Sequence, residues 1–234
     1  KSHLAVWNGF WENDGSKKSF NEYLEAFKKT HKSMREGFDQ NESLIPVNKK
    51  ILLDGSHRCA SAIVLNKEIE TIEINNEPPN YSAEFFKEKK LPSNILDFMA
   101  TEYVKLKKNL YLAVIFPSSD HHKEYIQSEL KKEFNVVYSK EVELNQNGIH
   151  NLIYQLYKGE KWLGNKQHKN TGSFNHVRER YRVGKKTLFV LFEAQDLKKV
   201  IQIKKQIRDK IKKGNFPIHI SDHQEETQRI CEQI

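Results

Sequence analysis

The stretch Ile51-Leu52-Leu53-Asp54-Gly55-Ser56-His57-Arg58-Cys59-Ala60-Ser61-Ala62 decides how the N-terminal part of the chain is read. An apolar run ends in Asp-Gly, and a helix of small residues opens directly behind Ser-His-Arg. A strand, a glycine turn and a helix N-terminus in that order build an anion site from main-chain N–H groups and the positive end of a helix dipole. Gly55 allows close backbone approach, Arg58 can hold a phosphate through two parallel hydrogen bonds, and His57 can donate or shuttle a proton. Asp54 has three open roles: orienting His57, holding a Mg²⁺, or accepting a proton from a substrate hydroxyl. The plainer alternative is an Asp-Gly turn that caps a helix and binds nothing.

Upstream, Leu44-Ile45-Pro46-Val47 and Lys50 to Leu53 read as two short strands joined by a turn at Asn48-Lys49. Before them, Ser19 is an N-cap for a helix whose apolar positions Phe20, Tyr23, Leu24 and Phe27 follow helical spacing, and Gly37 ends it. The first residues carry Trp7, Phe10 and Trp11 beside Glu12. That group is either core packing with a solvated carboxylate or a pocket wall with a general base.

Downstream, a helix burying Cys59, Ala60, Ala62 and Ile63 leads to a strand from Ile69 to Ile74 with one wet face. Asn75 to Pro79 breaks the chain. A helix from Ser93 follows, with an apolar stripe of Ile95, Leu96, Phe98, Met99, Tyr103 and Leu106. Beyond it strands and helices alternate: apolar Leu110 to Phe116 and Thr187 to Phe192 are buried strands, and Leu197 to Ile211 is an amphipathic helix. The order implies an α/β (α+β) layer domain. The expected domains are 1–76, a helical connector over 77–108, and 109–234 with a basic loop at 158–186.

The balance of 39 Lys+Arg against 31 Asp+Glu gives a net charge of +8, which suits anionic ligands from phosphates to nucleic acid. A lysine-rich composition spread over solvated faces explains the same number. No apolar run approaches the ~18 residues that cross a bilayer, so no membrane span is expected. With no signal peptide and two cysteines, Cys59 and Cys231, at no metal or redox spacing, a cytoplasmic protein with reduced thiols is expected.

The segment Ile45-Pro46-Val47 followed by Ile51 to Ala62 resembles the signature of the ParB/sulfiredoxin-like fold. Within that superfamily it is similar to the Asp-Gly-X-His-Arg form of nucleotide-dependent free serine kinases. The resemblance covers residues 1–76. It implies a nucleotide (ATP, ADP or CTP) with Mg²⁺ at the loop, phosphate on Gly55, Ser56, His57 and Arg58, and an upstream glutamate as base, a place that Glu12 occupies. Ser56 stands where sulfiredoxins carry their reactive Cys, and the loop lacks the arginine pair usual in ParB proteins.

A second motif, Phe216-Pro217-Ile218-His219-Ile220-Ser221-Asp222 with Glu225, is similar to the His-X-Ser-Asp signature of nucleoside diphosphate kinases. Thr187 to Ala194 and Asp196 to Arg208 extend the likeness. The resemblance implies a ferredoxin-like sheet and a phosphoryl-accepting His219. Against it, the family's lysine is replaced around Phe116-Pro117 and its glycine is Ile220. The alternative is that Ser221-Asp222 caps the last helix and His219 packs locally.

Finally, Lys161, Lys166, Lys169, Arg178, Arg180 and Arg182 alternate with Trp162, His168, Phe174, His176 and Tyr181 in the basic loop. Cations among aromatics grip single-stranded nucleic acid or a nucleotide. A solvated loop has the same composition. The leading expectation is a Mg²⁺-assisted phosphotransferase acting on a small hydroxylated metabolite, with Glu12, Asp54, His57 and His219 as candidate catalytic groups. The alternatives are a nucleotide-gated nucleic-acid-binding module and a hydrolase or transferase of nucleotide-linked sugars.

Overall fold

The structure is a computed structural model that describes residues 17–37, 44–164, 171–212, 214 and 217–233. Helices and sheets mix in two compact units, Lys1–Pro92 and Ser93–Ile234. The stretch 77–108, read as a connector, is divided between them.

In the first unit, helix α1 (Phe20–Glu36) opens where Ser19 accepts the Glu22 N–H and closes at Gly37, whose φ of 113° needs glycine. It buries Tyr23 and Met34. Lys67 Nζ reaches its C-terminal end and donates to the carbonyls of Met34 (2.6 Å) and Arg35 (3.3 Å), which the helix leaves unpaired. Strands β1 (Ile45–Asn48) and β2 (Ile51–Leu52) form a hairpin. Its turn residues Lys49 and Lys50 both have positive φ, one position later than the turn read from Asn48-Lys49. A two-residue turn with that backbone twist matches the twist of the strands it joins.

Helix α2 (Ser56–Leu65) returns the chain to β3 (Thr71–Glu73), which runs parallel to β1, so the order is β2-β1-β3. Two expectations are corrected. The buried residues of α2 are Ser61 and Ala62, while Ile63 is 62% exposed, because the helix meets α1 through its smallest side chains. All three residues of β3 are exposed, so neither face of this edge strand is covered. A short helix α3 (Ala83–Glu88), N-capped by Ser82, buries Phe86.

The second unit opens with α4 (Ser93–Leu106) and β4 (Leu110–Ile115). A 3-10 turn at Pro117–His122 leads into α5 (Lys123–Glu133) and β5 (Asn135–Val142). Then come α6 (Gln146–Leu156), a 3-10 turn at Lys161–Leu163 and α7 (Thr171–Arg180). Strand β6 (Thr187–Glu193), α8 (Leu197–Ile211), β7 (Ile218–Ile220) and α9 (Gln224–Cys231) complete it.

Its sheet has the order β5-β6-β4-β7, and every neighbouring pair is antiparallel. Both faces are covered, which is why β4 and β6 read as unbroken apolar runs rather than alternating ones. Ala113, Ile115, Val190, Phe192, Ile218 and Ile220 join one core with α5 and α8. Leu112, Val114, Phe116, Phe189 and Leu191 join the other with α6, α7 and α9. The stripe expected on α4 is corrected: Leu96 and Val104 are buried, whereas Phe98 and Leu106 are 53% and 72% exposed. Asp97 anchors this helix to β5 by accepting from Tyr138 (2.6 Å) and Lys140 (2.7 Å).

The basic loop 158–186 is also corrected, since it contains α7. Thr-Gly-Ser-Phe-Asn is a poor helix former, and tertiary packing overrides it. Ser173, Val177 and Arg180, spaced at helical intervals, are buried. Gly172 has no room for a side chain: a Cβ there would stand 1.9 Å from the Trp162 carbonyl oxygen.

Candidate functional site

Two groups of side chains have the chemistry of a site, one in each unit. The first is the turn 54–58. Gly55 has φ 80° and ψ 22°, starts α2, and supplies the carbonyl that accepts the first helical bond, from Cys59 N–H at 2.9 Å. No side chain caps this helix end. A Cβ on Gly55 would lie 3.1 Å from Arg58 Nη2 and 3.3 Å from the Ile45 side chain. The guanidinium therefore folds back over the turn, and the positive φ together with this close approach favours glycine beneath it. Asp54 and Ser56 are exposed at this point.

Among the described residues, Asp54 makes no hydrogen bond. No group of three or more His, Cys, Asp or Glu side chains among the described residues could hold a metal by itself. Mg²⁺ needs fewer: it keeps several waters and takes one or two carboxylates with phosphate oxygens, and the exposed Asp54 suits that donor set. His57 is placed differently from the expectation. It is half-buried, and its ring meets Phe27 of α1 edge-on at 5.1 Å. Its position thus ties α2 to α1, while Gly55 and Arg58 come together at the turn. Glu12, Lys166, His168 and Lys169 lie outside the described residues.

The second group surrounds His219 on β7. Antiparallel pairing sets His219 opposite Val114 and turns it toward the face covered by α6, α7 and α9. There it is 5% exposed. Its Nε2 is 2.7 Å from Glu226 Oε1, and its Nδ1 is 3.3 Å from the Tyr157 hydroxyl. Glu226 is equally buried, and its other oxygen accepts the Asp222 N–H at 3.0 Å. Tyr157 accepts in turn from Arg180 Nη2 at 3.3 Å. Arg180, 1% exposed, also lies 2.7 Å from His176 Nδ1 and stacks over the Phe116 ring at 4.9 Å.

Donor and acceptor roles follow from this chain. A guanidinium only donates, so His176 Nδ1 accepts and its proton sits on Nε2. With Tyr157 accepting from Arg180, its own hydrogen is available to His219 Nδ1, which leaves Nε2–H of His219 for the Glu226 carboxylate. Burial pushes the His219 pKa below its ordinary 6.5 despite the carboxylate beside it. Burial acts upward on Glu226, but the hydrogen bonds from His219 and Asp222 outweigh it, and its net shift is downward. Burial, and then the Arg180 charge, lower His176 as well.

The candidate phosphohistidine His219 is thus buried, with a hydrogen-bond partner at each ring nitrogen. The cap of the last helix is corrected. His223 is the N-cap and accepts the Glu226 N–H. Ser221 is instead buried, accepting from the Leu112 N–H at 2.9 Å and pairing with Thr227 at 2.7 Å. The cations-among-aromatics pattern of the basic loop is partly internal. Arg180 is buried, Trp162 packs on His176 at 4.3 Å, and Arg182 donates to the carbonyls of Arg178 and Tyr181.

Sequence reasoning missed Tyr157 and Glu226 as partners of His219. The available signal was position: Glu226 is the third residue of α9, where a carboxylate reaches back over the helix N-terminus.

The shifts carry a pH prediction. Groups whose imidazoles are held neutral on folding take up protons more readily when unfolded, so stability falls as pH drops below about 6.5. The Glu226 contribution is present above the ordinary carboxyl value of 4.5 and is lost as pH falls through its lower folded value. Acidifying from pH 7.5 to 5.5 is expected to lower the melting temperature, with at most about 1.4 kcal/mol per pH unit per proton. His219→Gln is expected to flatten part of that slope and His176→Gln the rest. A melting temperature independent of pH over this range would refute it.

Compared with known proteins, the chain matches no protein-family model and no curated protein.

Proposed function

We propose that the chain is a nucleotide-dependent phosphotransferase, with a first unit of the ParB/sulfiredoxin-like kind that takes nucleotide phosphate on the 54–58 turn. One observation carries the reading: α2 starts at a left-handed Gly55 with no side-chain cap, and the Arg58 guanidinium folds over the same turn. The helix end and the guanidinium both favour an anion at one place. Catalysis in such a site is mostly positioning and charge neutralisation. Asp54, exposed at the turn, is the described carboxylate suited to take the proton of a small hydroxylated acceptor or to hold Mg²⁺ with the phosphates. When bound, Mg²⁺ would supply neutralisation of the charge that develops on the transferred group.

The antiparallel order β5-β6-β4-β7 supports a ferredoxin-like second domain, in which β4 and β6 are central and β5 and β7 are edges. The nucleic-acid reading is less favoured, because Arg180 of the basic stretch serves the interior.

The test is thermal. ATP, ADP or CTP with Mg²⁺ at a hundredfold excess over Kd is expected to stabilise the fold by about 2.7 kcal/mol through mass action. Arg58→Ala is expected to remove the part of that shift that the 54–58 turn contributes. No shift with any of the three nucleotides would sink the proposal.

A further inference from the structure

Helix α8 turns Val200, Ile203, Ile207 and Ile211 to the core. Lys204 and Arg208 flank that row one turn apart. They reach the outer edge of β7, where the main-chain groups of His219 and Ser221 turn to β4 and the carbonyls of Ile218 and Ile220 turn away from it. Lys204 Nζ donates to the Ile220 carbonyl at 2.7 Å and to Asp222 Oδ1 at 3.1 Å. Arg208 Nη2 donates to the Ile218 carbonyl at 2.9 Å. The exposed carbonyl edge of the sheet is thus closed by two cations.

Edge closure alone does not need cations. A glutamine at either position would donate to a carbonyl without the desolvation that a half-buried charge suffers. The lysine side chain is only 11% exposed, and burial pushes both groups below their ordinary pKa values. Asp222 meets Lys204, but Arg208 Nε is buried and has no acceptor among the described residues. The same two side chains line a cleft of about 730 Å³ together with Lys205, Lys212, Asp209 and Asp222. Four cations face two carboxylates there, a balance that favours a polyvalent anion over a monovalent one.

We propose that this cleft binds a small diphosphate-bearing ligand, with Lys204 and Arg208 on its oxygens and Lys205 and Lys212 at the rim. The site is separate from the 54–58 turn and does not depend on what binds there. Oxygens of the diphosphate offset the desolvation of both cations.

The full chain is titrated calorimetrically at low salt with inorganic phosphate, pyrophosphate and a nucleoside diphosphate. Pyrophosphate is expected to bind more tightly than phosphate. In Arg58→Ala, where the turn no longer contributes, a nucleoside diphosphate that binds tighter still identifies a nucleotide as the ligand of the cleft, and equal binding identifies the bare diphosphate group. Arg208→Gln is expected to weaken pyrophosphate binding about tenfold or more, the loss of one charge-assisted contact. The exposed pair Lys205→Ser/Lys212→Ser is expected to weaken it measurably without touching the fold, so it decides the matter if Arg208→Gln misfolds. Arg58→Ala is expected to leave pyrophosphate binding to the cleft unchanged. Wild type that binds no pyrophosphate, or binding lost in Arg58→Ala and kept in both cleft variants, would overturn the proposal.

Discussion

Replacing Glu226 with alanine is expected to cost the second unit about 2–6 kcal/mol, about 1–3 kcal/mol for each of the two buried donors it leaves unpaired. Both Glu226 oxygens are engaged by donors, His219 Nε2 at 2.7 Å and the Asp222 N–H at 3.0 Å. Alanine leaves both donors facing a cavity, with His219 only 5% exposed and unable to turn to water. Glu226→Gln is expected to cost about 1–3 kcal/mol, because an amide offers one oxygen and must point its N–H₂ at the second donor. Urea unfolding at pH 7.5 reads both values from the midpoint, provided the slope is unchanged. A cost below about 1 kcal/mol for alanine would show that the carboxylate does not hold the strand to the helix.

That cost bears on why the candidate sites differ so much in legibility. The 54–58 turn is local: Asp54, Gly55 and Arg58 are neighbours in sequence, and the left-handed Gly55 and the folded-back Arg58 follow from a strand running into a helix. The His219 group is not local. Tyr157, Arg180, His219 and Glu226 come from the C-cap of α6, from α7, β7 and α9, and only the order β5-β6-β4-β7 brings their elements together. His219 stood out as a lone motif residue, and nothing in its neighbourhood announced Tyr157. Arg180 read as part of a solvated basic loop because helix α7 opens with Thr-Gly-Ser and carries few apolar residues. What buries it is contact with α6 and Phe116, which no periodicity encodes. By contrast, the Ser19 cap, the Gly37 stop and the boundaries of α8 were legible, since caps and an amphipathic row are written in adjacent residues.

The strands of the second unit were legible for a different reason, and they carry the other large effect. Phe192→Ala is expected to destabilise this unit by about 3–5 kcal/mol. Phe192 is fully buried on β6, the strand between β5 and β4, and its ring stacks on Phe134 at 4.6 Å and on Tyr111 at 6.0 Å. These neighbours belong to β4 and the end of α5, and β4 cannot shift to close the hole without disturbing the sheet register. Little relaxation is therefore available, and the cost is expected at the upper part of the range. At roughly 2–4 °C per kcal/mol for a unit of this size, the melting temperature should fall by about 10 °C or more. The same substitution at Phe98 of α4, which is 53% exposed, is expected to cost less than about 1 kcal/mol although the sequence reading put Phe98 in an apolar stripe and Phe192 in a buried strand. Measured together, the pair separates burial from composition. Equal losses at the two positions would mean that β6 is not the central strand and that α4 does not turn Phe98 to solvent.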